Sequence, residues 1–494
     1  MKLDYRSVPY RIIENGVRIV GILVFSVFVS SGGAGGMNLP QLLSFLVFGL
    51  LVIGAWEAAY VKKYEYRLDG DTFDIYSGVL SRREREIPFD RIQNVDIAQN
   101  VIQRVFGIAE LRLETAGGGG ESEARLRYVS REEATRLQEL ISRRKRGDTS
   151  ERDPGARDDI LFELDNRELG ILGLTSANVR LLGLISGLFV IASPVAADQF
   201  SPRLGLLLLL GPVFAVAGLV FLWIVSGVQA VLRYYGFKLY RHDEELRYKR
   251  GLLQQYDGTI PLSKIQTLMI SENLLARAVG YGSLAIETAG YAPGQDNNVE
   301  SAVPIAKREH VFELARTIED IGDPEFTRPP KRARTRYVAR YTIVVGVLTG
   351  ISYALQRFTG RVPFWYATAA LLVLVPVAAH LKWRNLGYCV GDRYVISQHG
   401  FWTRRTTIVP YYRVQTVSSS QNVFQRRRDL ATLVVDTATS GGFWGGDAVA
   451  LDIDADTADR LREEIHGSFH ESIAERARRD RAARRRNSER ELTT

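Results

Sequence analysis

Long apolar runs alternate with polar stretches along this chain of 494 residues. A helix needs about 20 predominantly apolar residues to cross a hydrocarbon core of about 30 Å. Leu39 to Tyr60 and Leu204 to Val228 satisfy that requirement without help. Shorter runs, richer in Gly and Ser, each lie close to another apolar run: Ile19 to Gly35, Leu181 to Ala197, Tyr341 to Leu355 and Phe364 to His380. The pattern predicts six membrane helices in three hairpins, with buried helices of a soluble domain as the alternative for the shorter runs.

The positions of Lys and Arg near the ends of these runs predict their orientation. The turns inside the hairpins, SSGGAGGMN, ADQFSPR and QRFTGRVP, carry at most two Arg each. The opposite ends carry many more basic residues, namely Arg11, Arg18, Lys62, Lys63, Arg180, Arg233, Arg334, Arg336, Arg340, Lys382 and Arg384. Both termini and all large polar regions are therefore expected on the cytoplasmic side of a cell membrane.

The polar regions contain one sequence pattern three times. It runs IPFDRIQNVDIAQN from Ile87, IPLSKIQTLMISEN from Ile260 and VPYYRVQTVSSSQN from Val409. Offsets of 173 and 322 residues align the copies without a gap at Gly78, Gly251 and Gly400; Pro88, Pro261 and Pro410; Gln93, Gln266 and Gln415; Asn100, Asn273 and Asn422; Arg104, Arg277 and Arg426; and Thr115, Thr288 and Thr437. The chain is therefore predicted to be a threefold repeat of a hairpin followed by a soluble domain.

Each copy predicts a small antiparallel β domain closed by a helix. Alternating segments such as 64–68, 73–77 and 110–115 indicate half-buried strands, and Asp69-Gly70-Asp71 indicates a turn. Asn100 and Asn273 are predicted N-caps of a short helix, which Gly107 and Gly280 follow in a left-handed conformation. In the third copy Asp429 replaces that glycine, so this helix end is expected to be less relaxed. Apolar residues at helical spacing predict the closing helix: Ala134, Leu137, Leu140 and Ile141; Val311, Leu314, Ala315 and Ile318; and Ala458, Leu461 and Ile465.

The order of hairpin, strands, Ile-Pro-x-x-x-Ile-Gln, Glu-Thr-Ala-Gly and helix resembles a known family. It is similar to the bacterial and archaeal membrane-flanked, pleckstrin-homology-like (PH) proteins of the YdbS/YdbT type. A chain long enough for three copies most resembles the YdbT-like members of that family. The resemblance covers residues 5 to about 466. It implies a PH-like fold of two bent antiparallel sheets with a C-terminal helix, and a membrane location, but no known biochemical activity.

The fold class expected is therefore integral membrane α-helical hairpins plus α+β, with three PH-like domains. Polar, Pro-punctuated stretches predict the connectors. The predicted segments are transmembrane hairpins at 1–61, 179–232 and 341–384, PH-like domains at 62–146, 233–322 and 385–467, linkers at 147–178 and 323–340, and a basic tail at 468–494. A charge run such as this tail is usually solvated, and contact with the membrane or with RNA is the alternative.

Composition excludes several classes of protein and site. The apolar content is 46%, the net charge is +8, and the single cysteine, Cys389, cannot form an intramolecular disulfide. Phosphate-loop, HExxH and GxSxG motifs are absent from the sequence, so no enzyme, metal or cofactor is expected. Glu57, Asp198 and His380 fall at the ends of the apolar runs, which disfavours a transporter.

Repeated polar residues are the candidate contacts to a lipid or a protein partner. For Gln93, Gln266 and Gln415 the alternative is an internal hydrogen bond to the loop backbone. For Arg104, Arg277 and Arg426 the alternative is that the positive charge stabilises the short helix through the helix dipole. Basic residues follow the repeated glycine in each copy: Arg82, Arg83, Arg85, Lys249, Arg250, Arg404 and Arg405. They either approach an anionic leaflet or keep a solvated strand edge from pairing with another strand.

The leading functional hypothesis is a non-enzymatic scaffold that presents three PH-like domains on the cytoplasmic face, in envelope maintenance or stress response. Three similar modules on one anchor raise the effective concentration for a multivalent partner. The alternatives are a lipid-sensing or lipid-handling membrane protein and a membrane transporter. The expected partners are the membrane, unidentified proteins and a second copy of the chain, with anionic lipid as a further candidate and no nucleic acid.

Overall fold

A computed structural model of the chain describes residues 6–12, 39–115, 124–146, 159–176, 211–242, 244–288, 300–319, 321–360, 364–437 and 448–469. The predicted membrane helices at 19–35 and 181–197 lie outside these residues, as do the basic tail from residue 470 and residues 147–158 of the predicted linker after the first repeat.

The described residues form ten α-helices that are numbered here in chain order. They are α1 (Leu39–Lys63), α2 (Val101–Val105), α3 (Arg131–Arg146), α4 (Asn166–Thr175), α5 (Gly211–Tyr234), α6 (Leu274–Ala278), α7 (Arg308–Ile318), α8 (Lys331–Thr359), α9 (Val375–Arg384) and α10 (Val423–Arg426). Residues 7–12 and 455–469 are also helical. Short 3₁₀ helices lie at Phe89–Arg91, Leu262–Lys264, Trp365–Leu374 and Tyr411–Arg413.

The strands follow the repeats along the chain. The first repeat holds β1 (Glu65–Asp69), β2 (Thr72–Ser77), β3 (Arg83–Pro88), β4 (Ile92–Asn100), β5 (Ile108–Thr115) and β6 (Ala124–Ser130). The second holds β8 (Lys238–His242), β9 (Glu245–Arg250), β10 (Gln254–Pro261), β11 (Ile265–Asn273), β12 (Tyr281–Thr288) and β13 (Glu300–Lys307), preceded by β7 (Asp159–Glu163). The third holds β14 (Gly387–Val390), β15 (Tyr394–His399), β16 (Thr403–Pro410), β17 (Val414–Ser420), β18 (Leu430–Thr437) and β19 (Ala448–Asp454).

Three helices in the described residues are long and apolar enough to cross a membrane: Val216–Tyr234, Lys331–Phe358 and Trp365–Arg384. The last two face each other, since the Thr368 hydroxyl donates to Thr349 Oγ1 at 3.1 Å and the rings of Tyr353 and Trp365 lie 5.0 Å apart. The predicted run at 39–60 is helical as α1. Four of the six predicted spans therefore fall on described helices.

The chain divides into two compact units, and neither unit follows the repeat boundaries. The first unit comprises Met1–Glu163 and Tyr235–Lys264, and the second comprises Leu164–Tyr234 and Ile265–Thr494. Strands β8 to β10 of the second repeat therefore lie in the first unit, whereas β11 to β13 of the same repeat lie in the second unit.

Antiparallel sheets shared between repeats explain this division. In the first unit the sheets run β1-β2-β3 and β6-β5-β4-β10-β9-β8-β7. In the second unit they run β13-β12-β11-β16-β15-β14 and β17-β18-β19. The third strand of one repeat is thus hydrogen-bonded to the fourth strand of the repeat before it, once in each unit.

The core of the first repeat lies between its two sheets and α3. Phe73, Ile97, Leu111 and Leu137 are fully buried there, as the strand and helix periodicities predict. Complete burial of such a side chain stabilises the fold by about 1.5–3 kcal/mol. The third repeat has an equivalent core that includes Val409, Val435 and Ile465.

Capping residues hold the short helices between the strands. The side chains of Asn100, Asn273 and Asn422 accept a hydrogen bond from the backbone N–H three residues later, at 2.7, 2.7 and 2.9 Å. Gly107, Gly280 and Asp429 adopt φ angles of +68°, +78° and +50°. The predicted N-caps and left-handed positions are confirmed, and Asp429 is a non-glycine residue in a region that favours glycine.

Each repeat also contacts a segment that precedes it along the chain, next to an apolar run. In the first, the Asn100 amide donates to Tyr10 Oη at 2.7 Å, and the Tyr10 ring lies 5.5 Å from that of Tyr128. In the second, the Asn273 amide donates to the Thr175 carbonyl oxygen at 2.6 Å. These contacts hold the segment before each of these apolar runs against the short helix of the repeat that follows it.

The third repeat makes the corresponding contact with charged groups. Arg336 and Tyr337 of α8 both donate to the buried carboxylate of Asp452. Arg332, one turn earlier, donates to the Asp429 carbonyl oxygen at 3.0 Å. Because Asp452 is paired with both a cation and a hydroxyl, its burial is compensated.

Candidate functional site

The junctions between consecutive repeats use one strand register. Across the first junction Asp257 of β10 lies opposite Ile97 of β4. Across the second, Thr406 of β16 lies opposite Ile270 of β11. The 173-residue offset between the first and second repeats carries Ile97 onto Ile270, and the 149-residue offset between the second and third carries Asp257 onto Thr406. Both junctions are therefore the same antiparallel contact.

The repeated arginine of the short helix reaches across each junction. Arg104 donates from Nη2 to the Leu252 carbonyl oxygen at 2.9 Å. Arg277 donates from Nη2 to the Phe401 carbonyl oxygen at 3.3 Å, and Leu252 and Phe401 occupy equivalent places after the repeated glycine. Arg426 belongs to the last repeat, and its side chain is exposed. Two of these three candidate residues therefore connect repeats.

The repeated glycine itself shapes the turn that presents this carbonyl group. Gly78, Gly251 and Gly400 have φ angles of +116°, +102° and +101°. A Cβ atom at Gly78 or Gly400 would overlap the carbonyl oxygen three residues later. Only glycine fits this turn, which accounts for its presence in all three copies.

The basic residues after this glycine lie in different environments. Arg82, Arg83 and Arg85 are exposed, the last two on β3, which is an edge strand of its sheet. Lys249 lies 3.7 Å from the Asp257 carboxylate, and the Arg250 guanidinium lies 5.2 Å from the Tyr256 ring centroid. Burial raises the pKa of Asp257, although Lys249 and Arg131 oppose that shift.

The repeated glutamines do not share one environment either. Gln266 is buried, whereas Gln415 is exposed. The side chain of Gln93 lies outside the described part of the structure. Gln266 and Gln415 therefore do not make the same contact.

The second junction contains a buried ion pair. Arg404 of β16 donates from Nε and Nη2 to the two carboxylate oxygens of Glu272 in β11, both at 2.7 Å. Arg308 Nε lies 3.6 Å from the same carboxylate. The Glu272 side chain is only 2% exposed, so its charge requires these partners.

A cavity of about 440 Å³, here called the basic pocket, opens beside this ion pair. Its charged lining is Arg308, Arg328, Arg384 and Arg404. Its remaining lining is apolar at Phe326 and Leu386 and neutral at Asn385 and Gln398. No carboxylate lines the cavity among the described residues.

Excess positive charge is evident at the edge of the basic pocket. Arg277 Nη1 donates to Asn385 Oδ1 at 3.3 Å. Burial, followed by repulsion from Arg404, lowers the pKa of Arg277. The sequence pattern singled out Arg404 and Arg277 but missed Arg308, Arg328 and Arg384, because none of these three falls on a position that the gapless offsets align as arginine in all copies.

A second cavity, of about 390 Å³, lies between the end of α4 and the second junction. Its polar lining includes Thr175, Asn273 and Arg405. The Asn273 amide there already donates to the Thr175 carbonyl oxygen. No three His, Cys, Asp or Glu side chains among the described ranges lie close enough to share a metal ion.

Comparison with known proteins agrees with the threefold pattern. The bacterial PH domain family matches at residues 16–145, 199–321 and 342–468, which together cover more than half of the chain. UPF0699 transmembrane protein YdbT of Bacillus subtilis (strain 168) is 28% identical over 429 residues, covering 80% of this chain and 84% of that protein. No solved structure gives a significant match. The chain is thus a membrane protein with internal repeats, and it belongs to the bacterial PH domain family.

Proposed function

We propose that the protein is a non-enzymatic membrane scaffold that presents its three PH-like repeats on the cytoplasmic face. In this proposal six helices form three hairpins, each preceding one repeat. The position of Lys and Arg around the apolar runs supports the orientation, because positively charged loops are retained in the cytoplasm. The family and the named relative, neither described as an enzyme, support a non-catalytic role.

The sharing of sheets between repeats carries this proposal. Modules joined only by flexible linkers sample many relative positions and lose entropy when they bind together. Here strand pairing at each junction, with Arg104 or Arg277 across it, holds neighbouring repeats in a defined register. A partner that contacts two neighbouring repeats then avoids part of that ordering cost, which favours multivalent binding.

Crosslinking in native membranes tests the scaffold. The full tagged chain is crosslinked to its neighbours, and the neighbours of wild type are compared with those of Arg404→Glu, which places two carboxylates at the second junction. We expect a defined neighbour to be captured by wild type and lost in the junction variant. Arg427→Glu, at an exposed position outside the junction, is the matched control. Equal capture by all three chains would contradict a role for the joined repeats.

Recognition of anionic lipid is the second candidate function. The basic pocket, with four arginines in its lining, favours it. An anionic leaflet attracts each nearby Lys or Arg by about 1 kcal/mol, so several of them together give appreciable binding. This candidate is compatible with the scaffold, since a repeat bound to a headgroup still exposes other surfaces to a partner.

A further inference from the structure

Among the described residues, the arginines of the basic pocket outnumber the carboxylates that pair with them. Arg404 and Arg308 share one carboxylate, that of Glu272. Arg328 and Arg384 are both exposed, and neither forms an ion pair within the described part of the chain. Four guanidinium groups around one cavity repel one another, and an anion placed between them relieves that repulsion.

The backbone holds the four arginines in place from separate elements. Arg308 begins α7, and its N–H donates to the Gly280 carbonyl oxygen at 3.0 Å. Arg384 ends α9, and Arg404 lies on β16 inside the six-stranded sheet. The site is therefore not a single flexible loop.

The connecting segment that carries Arg328 is also fixed. Thr327 exchanges two backbone hydrogen bonds with Tyr388, at 2.8 and 3.0 Å. The Trp383 indole N–H donates to the Pro329 carbonyl oxygen at 2.9 Å. Arg328 lies between these two attachments, so its backbone is positioned before any ligand arrives. A preorganised donor loses less entropy on binding.

The chemistry of the lining indicates a phosphate group. A guanidinium presents planar paired N–H donors that match two oxygens of a phosphate, and it cannot lose its charge at neutral pH. A cavity of about 440 Å³ is within the usual range for small-molecule sites. Phe326 and Leu386 supply an apolar wall beside the charged groups.

The position of Arg384 indicates the source of that phosphate. Arg384 is the last residue of Trp365–Arg384, which is one of the helices able to span a membrane. The end of a spanning helix lies at the level of the lipid headgroups. One rim of the basic pocket then faces the layer in which phospholipid phosphates are concentrated.

We propose that the basic pocket binds the phosphate group of an anionic lipid headgroup between Arg308, Arg328, Arg384 and Arg404. This deepens the second candidate function, and it rests on the proposed crossing of the membrane by α8 and the helix that ends at Arg384. It is independent of the scaffold, because neighbour capture and lipid binding are separate measurements. Free phosphate shares the same chemistry and is the other source to be distinguished.

Binding is measured on the full chain in neutral detergent. The midpoint of thermal unfolding is followed during titration with phosphatidylglycerol, phosphatidylcholine or inorganic phosphate, since a ligand of the folded state raises that midpoint. The test variant is R328Q/R384Q, which removes two exposed charges and leaves the Glu272–Arg404 pair intact. The control is R427Q/R460Q, which removes two exposed charges of the third repeat outside the pocket.

We expect phosphatidylglycerol to stabilise wild type and the control alike, with at least a tenfold weaker apparent affinity in R328Q/R384Q. Phosphatidylcholine and millimolar inorganic phosphate should each act more weakly on wild type. If inorganic phosphate matches phosphatidylglycerol in wild type and also loses tenfold in R328Q/R384Q, the site stands but its ligand is a free anion, and the lipid assignment is overturned. Equal affinity of R328Q/R384Q and R427Q/R460Q in all titrations overturns the site itself.

Discussion

Glu272 of the second repeat receives two hydrogen bonds of 2.7 Å from Arg404 of the third repeat. The pair joins the two strands β11 and β16 on one side of the shared sheet. At the first junction the equivalent positions are Gln99 and Gln255, which are neutral. The two junctions therefore have the same register but different electrostatics.

Removing one partner of this pair should weaken the second junction. In Glu272→Gln, Arg404 keeps its charge at a position that is 16% exposed and loses its only carboxylate partner among the described residues. The expected loss in the free energy of unfolding is about 3 kcal/mol. Denaturant unfolding of the full chain in detergent measures it.

The double variant Glu272→Leu/Arg404→Met provides the control for this prediction. It removes both charges and keeps apolar volume, so it should be less destabilised than Glu272→Gln. A double variant that loses at least as much stability as the single one would show that the pair contributes through packing and not through charge.

A methyl group at the repeated glycine should disrupt the turn that the junctions use. In Gly400→Ala the new Cβ overlaps the Thr403 carbonyl oxygen at a φ of +101°, so the backbone must move. We expect a loss of more than 1 kcal/mol in the free energy of unfolding. Gly346→Ala in α8 is the control, because nothing lies within 4 Å of its added methyl group. Similar stability of the two variants would refute the steric explanation.

The N-cap asparagines should differ in importance between repeats. Asn273 caps α6 and also donates to the Thr175 carbonyl oxygen at 2.6 Å, whereas the Asn422 amide group caps α10. Loss of a cap costs about 1 kcal/mol, and loss of a further hydrogen bond about 1 kcal/mol more. Asn273→Ala should therefore destabilise the chain by about twice as much as Asn422→Ala. Equal losses in calorimetry would argue against a contribution from the contact with α4.

His399 should make the stability of the third repeat depend on pH. Burial, with repulsion from Lys382 and Arg405, lowers its pKa from 6.5 to about 4. The fold therefore favours the neutral imidazole. Its stabilisation is complete above pH 6.5 and is lost as the pH falls towards 4, by about 3 kcal/mol at most.

Unfolding midpoints between pH 7 and pH 4 test this expectation. His399→Gln cannot be protonated, so its midpoint should fall less steeply with decreasing pH than that of wild type. His310→Gln, at an exposed position on α7, should retain the wild-type slope because His399 is still present. A slope that is unchanged in His399→Gln would exclude this histidine as the cause.

Much of the architecture follows from local patterns in the sequence. The caps at Asn100 and Asn273, the turn at Gly70 and the buried stripe of Ala134, Leu137 and Ile141 are all set by neighbours within a few residues. The gapless offsets between the three copies also predict the threefold repetition, and the three ranges matched by the family agree with it.

The junctions and the basic pocket follow from contacts that sequence periodicity does not encode. An alternating strand shows which face is buried but not which strand lies beside its edge. The lining arginines lie on two helices, one strand and a connecting segment between residues 308 and 404, and only Arg404 follows the repeated glycine that the sequence pattern singled out. The differences between Gln99 and Glu272 and between Gln255 and Arg404 are the trace in the sequence of the ion pair at the second junction.

The cytoplasmic display of all three repeats is tested most directly by labelling cysteines in intact cells. In a Cys389→Ser background, single cysteines replace exposed Arg82, exposed Ser263 and exposed Arg427, one in each repeat, and Asp198 in the predicted turn between two predicted spans. A membrane-impermeant maleimide should label Asp198→Cys in intact cells and the three repeat positions only after permeabilisation. Labelling of any repeat position in intact cells would contradict the account.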